Sequence, residues 1–100
     1  YERIIFDVKK EIINIIKSQN LIDVRTAYEY NLGSIPNAIN IPLNEIPKRI
    51  NELKNLQPII IFCAAGIRSQ KAKDFLIANG INNVENGGGL NDLKANLNTL

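Results

Sequence analysis

A short apolar run that ends at the only cysteine of the chain constrains the fold more than any other stretch. Residues 59–62 are continuous, β-branched or aromatic, and preceded by Pro58, a pattern typical of a buried strand. Cys63 follows at once, then a loop of small residues, 64–66, and then apolar residues return near helical spacing over 70–79. The sequence therefore predicts a strand, a tight loop and a helix, with the thiol where the strand ends.

This position favours an acidic thiol. The first N–H groups of a helix lack partners and carry the positive end of its dipole, and a small-residue loop can turn its own amides inward as an anion-binding nest. Gly66 can take backbone angles that other residues avoid, and Arg68 adds a fixed charge with a donor fork suited to oxyanions. Activated cysteines in such settings have a pKa of roughly 3.5–7.5. The alternative is a buried structural cysteine, the commoner role of a lone Cys, but the setting favours function.

Length and charge exclude several classes of protein. One hundred residues predict a single domain spanning 1–100. The net charge of +2 is too small to indicate nucleic-acid binding, and no apolar run is long enough for a membrane span. No signal peptide is evident. We expect a cytoplasmic protein, with the periplasm as the alternative because the chain begins with Tyr1 rather than Met.

The absence of histidine restricts the chemistry. No His and one Cys exclude an internal disulfide, the usual zinc sites, and Ser-His-Asp or Cys-His mechanisms. We therefore expect no metal and no cofactor. Any nucleophile in this chain must be activated by backbone amides and fixed charge.

Strand and helix patterns alternate along the chain. This alternation predicts an α/β fold: one domain with a central, mostly parallel sheet of four to five strands and helices on both faces. Helix boundaries are indicated by a capping box at Thr26 and Glu29, by Asn44 as an N-cap and by Gly80 as a C-terminal cap. The predicted strands are 1–6, 21–24, 38–41, 59–62 and 81–85, and the predicted helices are 7–18, 26–33, 44–54, 70–79 and 91–97.

Several polar residues should gather around the thiol. Ligands of parallel sheets bind at the carboxyl ends of the strands, where Asp23, Arg25 and the Cys63 loop all fall. We expect Asp23 and Arg25 to form a structural ion pair beneath the site. Glu29 is assigned to capping and packing rather than to catalysis. Ser69 is assigned to capping the next helix, with donation to the sulfur as the lesser alternative. The three glycines 87–89 form a flexible loop or allow backbone to approach the Cys63 loop.

Three motifs follow one another in order over residues 21–97. The first runs from Asp23-Val24-Arg25 to Ile41-Pro42, the second is Cys63-Ala64-Ala65-Gly66-Ile67-Arg68-Ser69, and the third is Val84-Glu85-Asn86-Gly87-Gly88-Gly89-Leu90. Together these motifs resemble the rhodanese-like sulfurtransferases. The chain departs from the family at three places. Ser34 stands where His is frequent, Asn37 where Gly is frequent, and there is no Trp near Leu93.

The resemblance implies a persulfide mechanism centred on Cys63. The thiolate would take sulfur from a donor such as thiosulfate and pass it to cyanide or to a thiol. The loop residues would bind the charged sulfur, and Arg68 would either bind the donor or brace the loop. These loop residues are Ala64, Ala65, Gly66, Ile67, Arg68 and Ser69.

Three alternatives accompany that hypothesis. Related Cys-loop phosphatases have five residues between Cys and Arg, whereas here there are four, 64–67, which suits a single sulfur better than a phosphoryl group. The domain could instead be a relay module that receives persulfide sulfur from a partner protein. The third alternative is an inert thiol, which the intact loop disfavours.

Overall fold

The computed structural model describes residues 19–99. The strand predicted at 1–6 and the helix predicted at 7–18 lie outside these residues. Within the described part, four strands alternate with helices, as the sequence predicts. The strands are β1 (Asn20–Asp23), β2 (Ile39–Asn40), β3 (Ile59–Cys63) and β4 (Val84–Gly89). The helices are α1 (Ala27–Leu32), a 3₁₀ helix (Leu43–Arg49), α2 (Ile50–Asn55), α3 (Ile67–Ala78) and α4 (Leu90–Thr99).

The four strands form one parallel sheet in the order β2-β1-β3-β4. Their carboxyl ends share one edge, because every neighbouring pair is parallel. Asp23 pairs with Phe62 and Cys63 pairs with Gly89, so three strands end beside the thiol. This is the arrangement that the alternating pattern predicts, and it places the site at that edge.

The core lies on both faces of the sheet. All five residues of β3 are buried, and alternate side chains point to opposite faces. Ile59, Ile61 and Cys63 join one apolar cluster with residues of α2 and α3, including Leu53 and Leu76. Ile60 and Phe62 join a second cluster that includes Leu93 of α4. The prediction of helices on both faces is therefore confirmed.

The helix predicted over 44–54 is two helices. A 3₁₀ helix follows Pro42, and the α-helical geometry begins only at Ile50. Pro47 lies inside the 3₁₀ segment, where it has no N–H to donate to an α-helical hydrogen bond. The prediction that Asn44 is the N-cap is wrong, since Pro42 holds that position and no side chain caps the helix.

Helix α3 begins three residues earlier than predicted. Gly66 is its N-cap, with a φ of 92°, so the chain turns directly from the loop into the helix at Ile67. Ser69 therefore lies in the first turn and does not cap the helix, which corrects the prediction. The end of the helix is as predicted, with Gly80 at a φ of 85° just beyond it.

The triple glycine belongs to β4 rather than to a flexible loop. A Cβ on Gly89 would lie 2.5 Å from the carbonyl oxygen of Ala64, and one on Gly87 would lie 2.7 Å from Ile60 Cγ2. Glycine is required at both positions because backbone and side chains pack directly against them. The flexible loop was a wrong prediction, whereas the close approach to the Cys63 loop is confirmed.

Candidate active site

Cys63 is the last residue of β3, and its sulfur lies inside the turn that follows. The backbone N–H of Gly66 donates to Sγ at 3.0 Å, and that of Ser69 donates at 3.4 Å. Cys63 is only 1% exposed, while Ala64 and Ala65 of the loop are exposed. The sulfur therefore lies at the base of the loop, one layer beneath the surface, with peptide amides directed at it.

The turn depends on glycine at position 66. Its φ of 92° lies in the region that side chains disfavour. A Cβ there would also lie 3.3 Å from Gly88 Cα, which is closer than most such contacts. The loop and the end of β4 thus pack backbone against backbone, and this contact positions the Gly66 amide over the sulfur.

The surroundings of Cys63 make its thiol more acidic than usual. Burial raises the pKa of the thiol, because it disfavours the charged form. Hydrogen bonds from the backbone amides of Ser69, Ala65 and Gly66 favour the charged form and leave the pKa of the thiol lowered. A thiolate in this loop is therefore stabilised by peptide dipoles rather than by a base.

Ser69 touches the sulfur and a residue that the sequence interpretation did not single out. Its hydroxyl oxygen is 3.4 Å from Cys63 Sγ and 2.6 Å from Asn86 Oδ1, and Ser69 is fully buried. Asn86 lies in β4, one residue beyond the strand predicted at 81–85, and no local sequence pattern linked it to Ser69.

Arg68 is paired with Glu29 of α1. Nη1 donates to Oε1 at 2.7 Å and Nη2 to Oε2 at 3.0 Å. The Arg68 guanidinium holds the pKa of Glu29 well below its usual value, at about 2. The capping box that the sequence predicts is present, since Thr26 and Glu29 exchange hydrogen bonds. The ion pair with Arg68 was missed, because nothing local links residues 39 positions apart.

Asp23 and Arg25 form the predicted ion pair at the end of β1. Arg25 Nη2 is 2.7 Å from Asp23 Oδ2, and both residues are buried. Arg25 also donates to the carbonyl oxygen of Gly33, and the hydroxyl of Ser34 donates to Asp23 Oδ2 at 2.8 Å. Arg25 and Ser34 thus hold the loop after α1 against the end of the sheet.

A hollow of about 340 Å³ opens beside Arg68. Its walls are mainly apolar, with Val24, Pro42 and Leu43 among them, and Thr26 and Asn44 complete them. A larger groove of about 630 Å³ lies around Leu21, Pro36 and Leu97 and includes no residue of the Cys63 loop.

Over residues 19–99, no group of three or more His, Cys, Asp or Glu side chains could hold a metal ion. No helix in that range is both long and apolar enough to cross a bilayer.

Comparison with known proteins decides the family. A family model described as the Rhodanese-like domain matches residues 8–96. The chain belongs to the rhodanese-like family.

Two departures from the family motif now have a structural explanation. Asn37 has a φ of 71°, a left-handed conformation that asparagine tolerates better than most residues, and Leu93 packs in the core where the family often has Trp.

Curated relatives of this rhodanese-like chain include proteins of different lengths. It is 41% identical over 83 residues to a tRNA uridine(34) hydroxylase of Pelagibacter ubique, covering 78% of this chain and 28% of that protein. It is 38% identical over 82 residues to the thiosulfate sulfurtransferase PspE of Escherichia coli, covering 79% of this chain and 78% of that protein. The chain therefore spans little more than a quarter of the first relative and most of the second.

Solved structures include a rhodanese with anions from Escherichia coli. It is 40% identical to this chain, with a TM-score of 0.67, and the match covers 74% of this chain and 89% of that one. The fold is thus that of rhodanese-like proteins.

Proposed function

We propose that this rhodanese-like protein is a sulfurtransferase that moves sulfane sulfur from a donor such as thiosulfate to a thiophilic acceptor. Cys63 carries the sulfur as a persulfide, and the acceptor is cyanide in an assay or a thiol in the cell. The observation that supports this most is the pair of amides, from Gly66 and Ser69, directed at Sγ. The similarity to a thiosulfate sulfurtransferase over most of its length adds to it.

The reaction has two balanced steps. In the first, the Cys63 thiolate attacks the outer sulfur of thiosulfate; the Sγ–S bond forms, the S–S bond of the donor breaks, and its electron pair leaves on sulfite. In the second, the acceptor attacks the outer sulfur of the persulfide, and the electron pair of the broken S–S bond returns to Sγ. With cyanide as acceptor the product is thiocyanate, and the thiolate is regenerated.

The loop amides serve both steps. The attacking and the departing thiolate carry their negative charge on Sγ, and the persulfide carries it on the outer sulfur, one S–S bond away; preorganised N–H donors stabilise such charge without rearrangement. Residues 64–69 form the turn that supplies these donors, and its backbone packs directly against that of β4. We propose that Arg68 braces this turn through Glu29, since both of its terminal nitrogens are already occupied by the carboxylate. Asp23 and Arg25 support the same edge of the sheet.

Three observations make a phosphatase the weaker candidate. The loop has four residues between Cys63 and Arg68, and Arg68 is committed to Glu29 rather than left to span a phosphoryl group. Glu29, with a pKa of about 2, is ionised at neutral pH and cannot act there as a general acid. If the protein hydrolysed an aryl phosphate faster than it transferred sulfur, and this hydrolysis required Cys63, the phosphatase would become the stronger candidate.

Steady-state kinetics test the proposal. With thiosulfate and cyanide varied together, we expect ping-pong kinetics, because the persulfide forms before the acceptor binds. The matched control is Cys63→Ser, which is nearly isosteric and should fold but not turn over. Turnover in that variant would contradict the proposal. Weak turnover with thiosulfate beside rapid sulfur transfer from a protein persulfide would instead favour a relay module with a protein partner.

The wider setting of the domain is part of the same proposal. We propose one rhodanese-like domain over 1–100 in the cytoplasm, with the periplasm as the alternative, acting on small sulfur anions and thiols rather than on nucleic acid or membranes. Limited proteolysis tests the single domain, and cell fractionation tests the compartment. Early cleavage into two stable fragments would contradict the first part.

A further inference from the structure

Asn86 of β4 uses every hydrogen-bonding position of its amide. Oδ1 accepts from the Ser69 hydroxyl at 2.6 Å and from the Gly88 N–H at 2.9 Å. Nδ2 donates to the Gly66 carbonyl at 3.1 Å and to Gln70 Oε1 at 3.0 Å. The amide cannot be reversed, because a backbone N–H only donates and a carbonyl only accepts. The oxygen of Asn86 therefore faces Ser69.

This orientation decides where the Ser69 hydroxyl proton points. An amide oxygen only accepts, so at 2.6 Å the hydroxyl must give its single proton to Asn86. The lone pairs of Ser69 Oγ then face Cys63 Sγ, 3.4 Å away. In the neutral form the thiol can donate to that oxygen, completing a chain from sulfur to serine to asparagine. Once the thiol ionises, two acceptors compete for one proton.

We propose that Asn86 is a positioning residue that withholds the Ser69 proton from the Cys63 sulfur. The thiolate is then stabilised by peptide amides alone. This matters because a hydroxyl bonded to a thiolate is charge-assisted, and a thiolate that is stabilised more strongly is a weaker nucleophile. The benefit of this arrangement for catalysis rests on the proposed sulfur transfer. The direction of the Ser69 proton is a property of the resting protein and does not depend on that function.

Three ion pairs lie in the elements that surround the loop. Arg68 of α3 pairs with Glu29 of α1, Arg25 with Asp23 at the end of β1, and Lys73 with Glu85 across α3 and β4. Over residues 19–99, the hydrogen bonds of these six side chains include none to Asn86 or Ser69. An uncharged substitution of Asn86 therefore leaves the local charges unchanged.

The test is the ultraviolet titration of the thiolate, with Cys63→Ser as the blank that removes the signal of the three tyrosines; the difference reports Cys63, the one cysteine of the chain. Asn86→Leu keeps the size and removes the acceptor, so the Ser69 proton becomes free for the sulfur. We expect the apparent pKa of Cys63 to fall by about one unit, roughly the value of one charge-assisted hydrogen bond. In a Ser69→Ala background the same substitution should change nothing. Alkylation of the fully ionised thiolate should be slower in Asn86→Leu than in the unsubstituted protein.

Two further variants make the result decisive. Gln70→Ala removes a partner of Asn86 without touching Oδ1 and should leave the titration unchanged. Asn86→Asp adds a stronger acceptor and a charge, so it should raise the pKa, and by more when Ser69 is present than in Ser69→Ala. This difference decides the matter even if Asn86→Leu fails to fold.

Three results would overturn the inference. They are a rise of the pKa in Asn86→Leu in both backgrounds, no change in either, or an effect of Asn86→Asp that is equal with and without Ser69. A rise in both backgrounds would assign Asn86 to bracing the Gly66 peptide instead. The expected shifts with no sulfur transfer would leave this inference standing and contradict the proposed function.

Discussion

Arg68 and Glu29 form a bidentate ion pair, in which the two terminal guanidinium nitrogens donate to the two carboxylate oxygens at 2.7 and 3.0 Å. The pair links the first turn of α3, which carries the sulfur loop, to the first turn of α1. Arg68 is thereby held beside the loop and cannot swing over the sulfur without releasing Glu29. Its fixed charge still favours an anion nearby.

The ion pair between Arg68 and Glu29 predicts that the Glu29 carboxyl titrates at an unusually low pH. The pKa of Glu29 is lowered from 4.5 to about 2, so the pair contributes stability that is present above pH 4.5 and lost as the pH falls towards 2. Carbon-detected NMR of the Glu29 carboxyl should show a midpoint near 2. In Arg68→Gln the midpoint should return towards 4.5. A Glu29 midpoint that is ordinary in both proteins would mean that the pair does not persist in solution.

The conformation of Gly66 predicts a loss of sulfur loading on substitution. Gly66→Val adds a side chain at a φ of 92° and 3.3 Å from Gly88 Cα, which strains the turn, so we expect the Gly66 amide to shift away from the sulfur. We expect thiosulfate binding and persulfide formation to be lost. The matched control is Gly80→Ala, where φ is 85° but no atom lies within 4 Å. It should cost about 1 kcal/mol of unfolding free energy and leave sulfur loading intact. Unchanged thiosulfate affinity in Gly66→Val would count against the amide cradle.

The depth of the thiol predicts selectivity by size. Since Cys63 is 1% exposed at the base of the loop, small reagents should alkylate it far faster than bulky ones. The comparison is the rate with iodoacetamide against that with a large aromatic maleimide, each corrected for its rate with a free thiol. Equal corrected rates would show that the sulfur is open at the surface in solution.

The buried pair at the end of β1 predicts two unequal losses of stability. Asp23→Ala leaves the Arg25 charge buried without its partner, which typically costs about 3–5 kcal/mol. Ser34→Ala removes one hydrogen bond to Asp23, and its cost should be about 1 kcal/mol. Urea unfolding measures both values. Equal losses would mean that Asp23 and Arg25 do not act as a charge pair in the folded protein.

Sequence patterns correctly predicted the structural features that depend on residues close together in the chain. The strand at 59–62, the turn of small residues and the pairing of Asp23 with Arg25 are all local, and all are present. The start of α3 was placed too late because Gly66 adopts a positive φ that brings the helix forward to Ile67. Ser69 was consequently assigned to a cap, although it lies against the sulfur.

Those local patterns could not predict contacts between segments that are distant in the sequence. Asn86 meets Ser69 because α3 packs against β4, and 17 positions separate the two residues. The glycines 87–89 looked like a flexible loop because strands rarely contain them. Glycine is needed at position 89 because the backbone of the Cys63 loop lies too close for a side chain, and at position 87 because Ile60 does.

Intact-protein mass spectrometry after treatment with thiosulfate tests the central claim most directly. We predict a gain of one sulfur atom, its loss on addition of cyanide, and no gain in Cys63→Ser. A protein whose mass is unchanged by thiosulfate and by a protein persulfide donor, or a gain that persists in Cys63→Ser, would contradict the account.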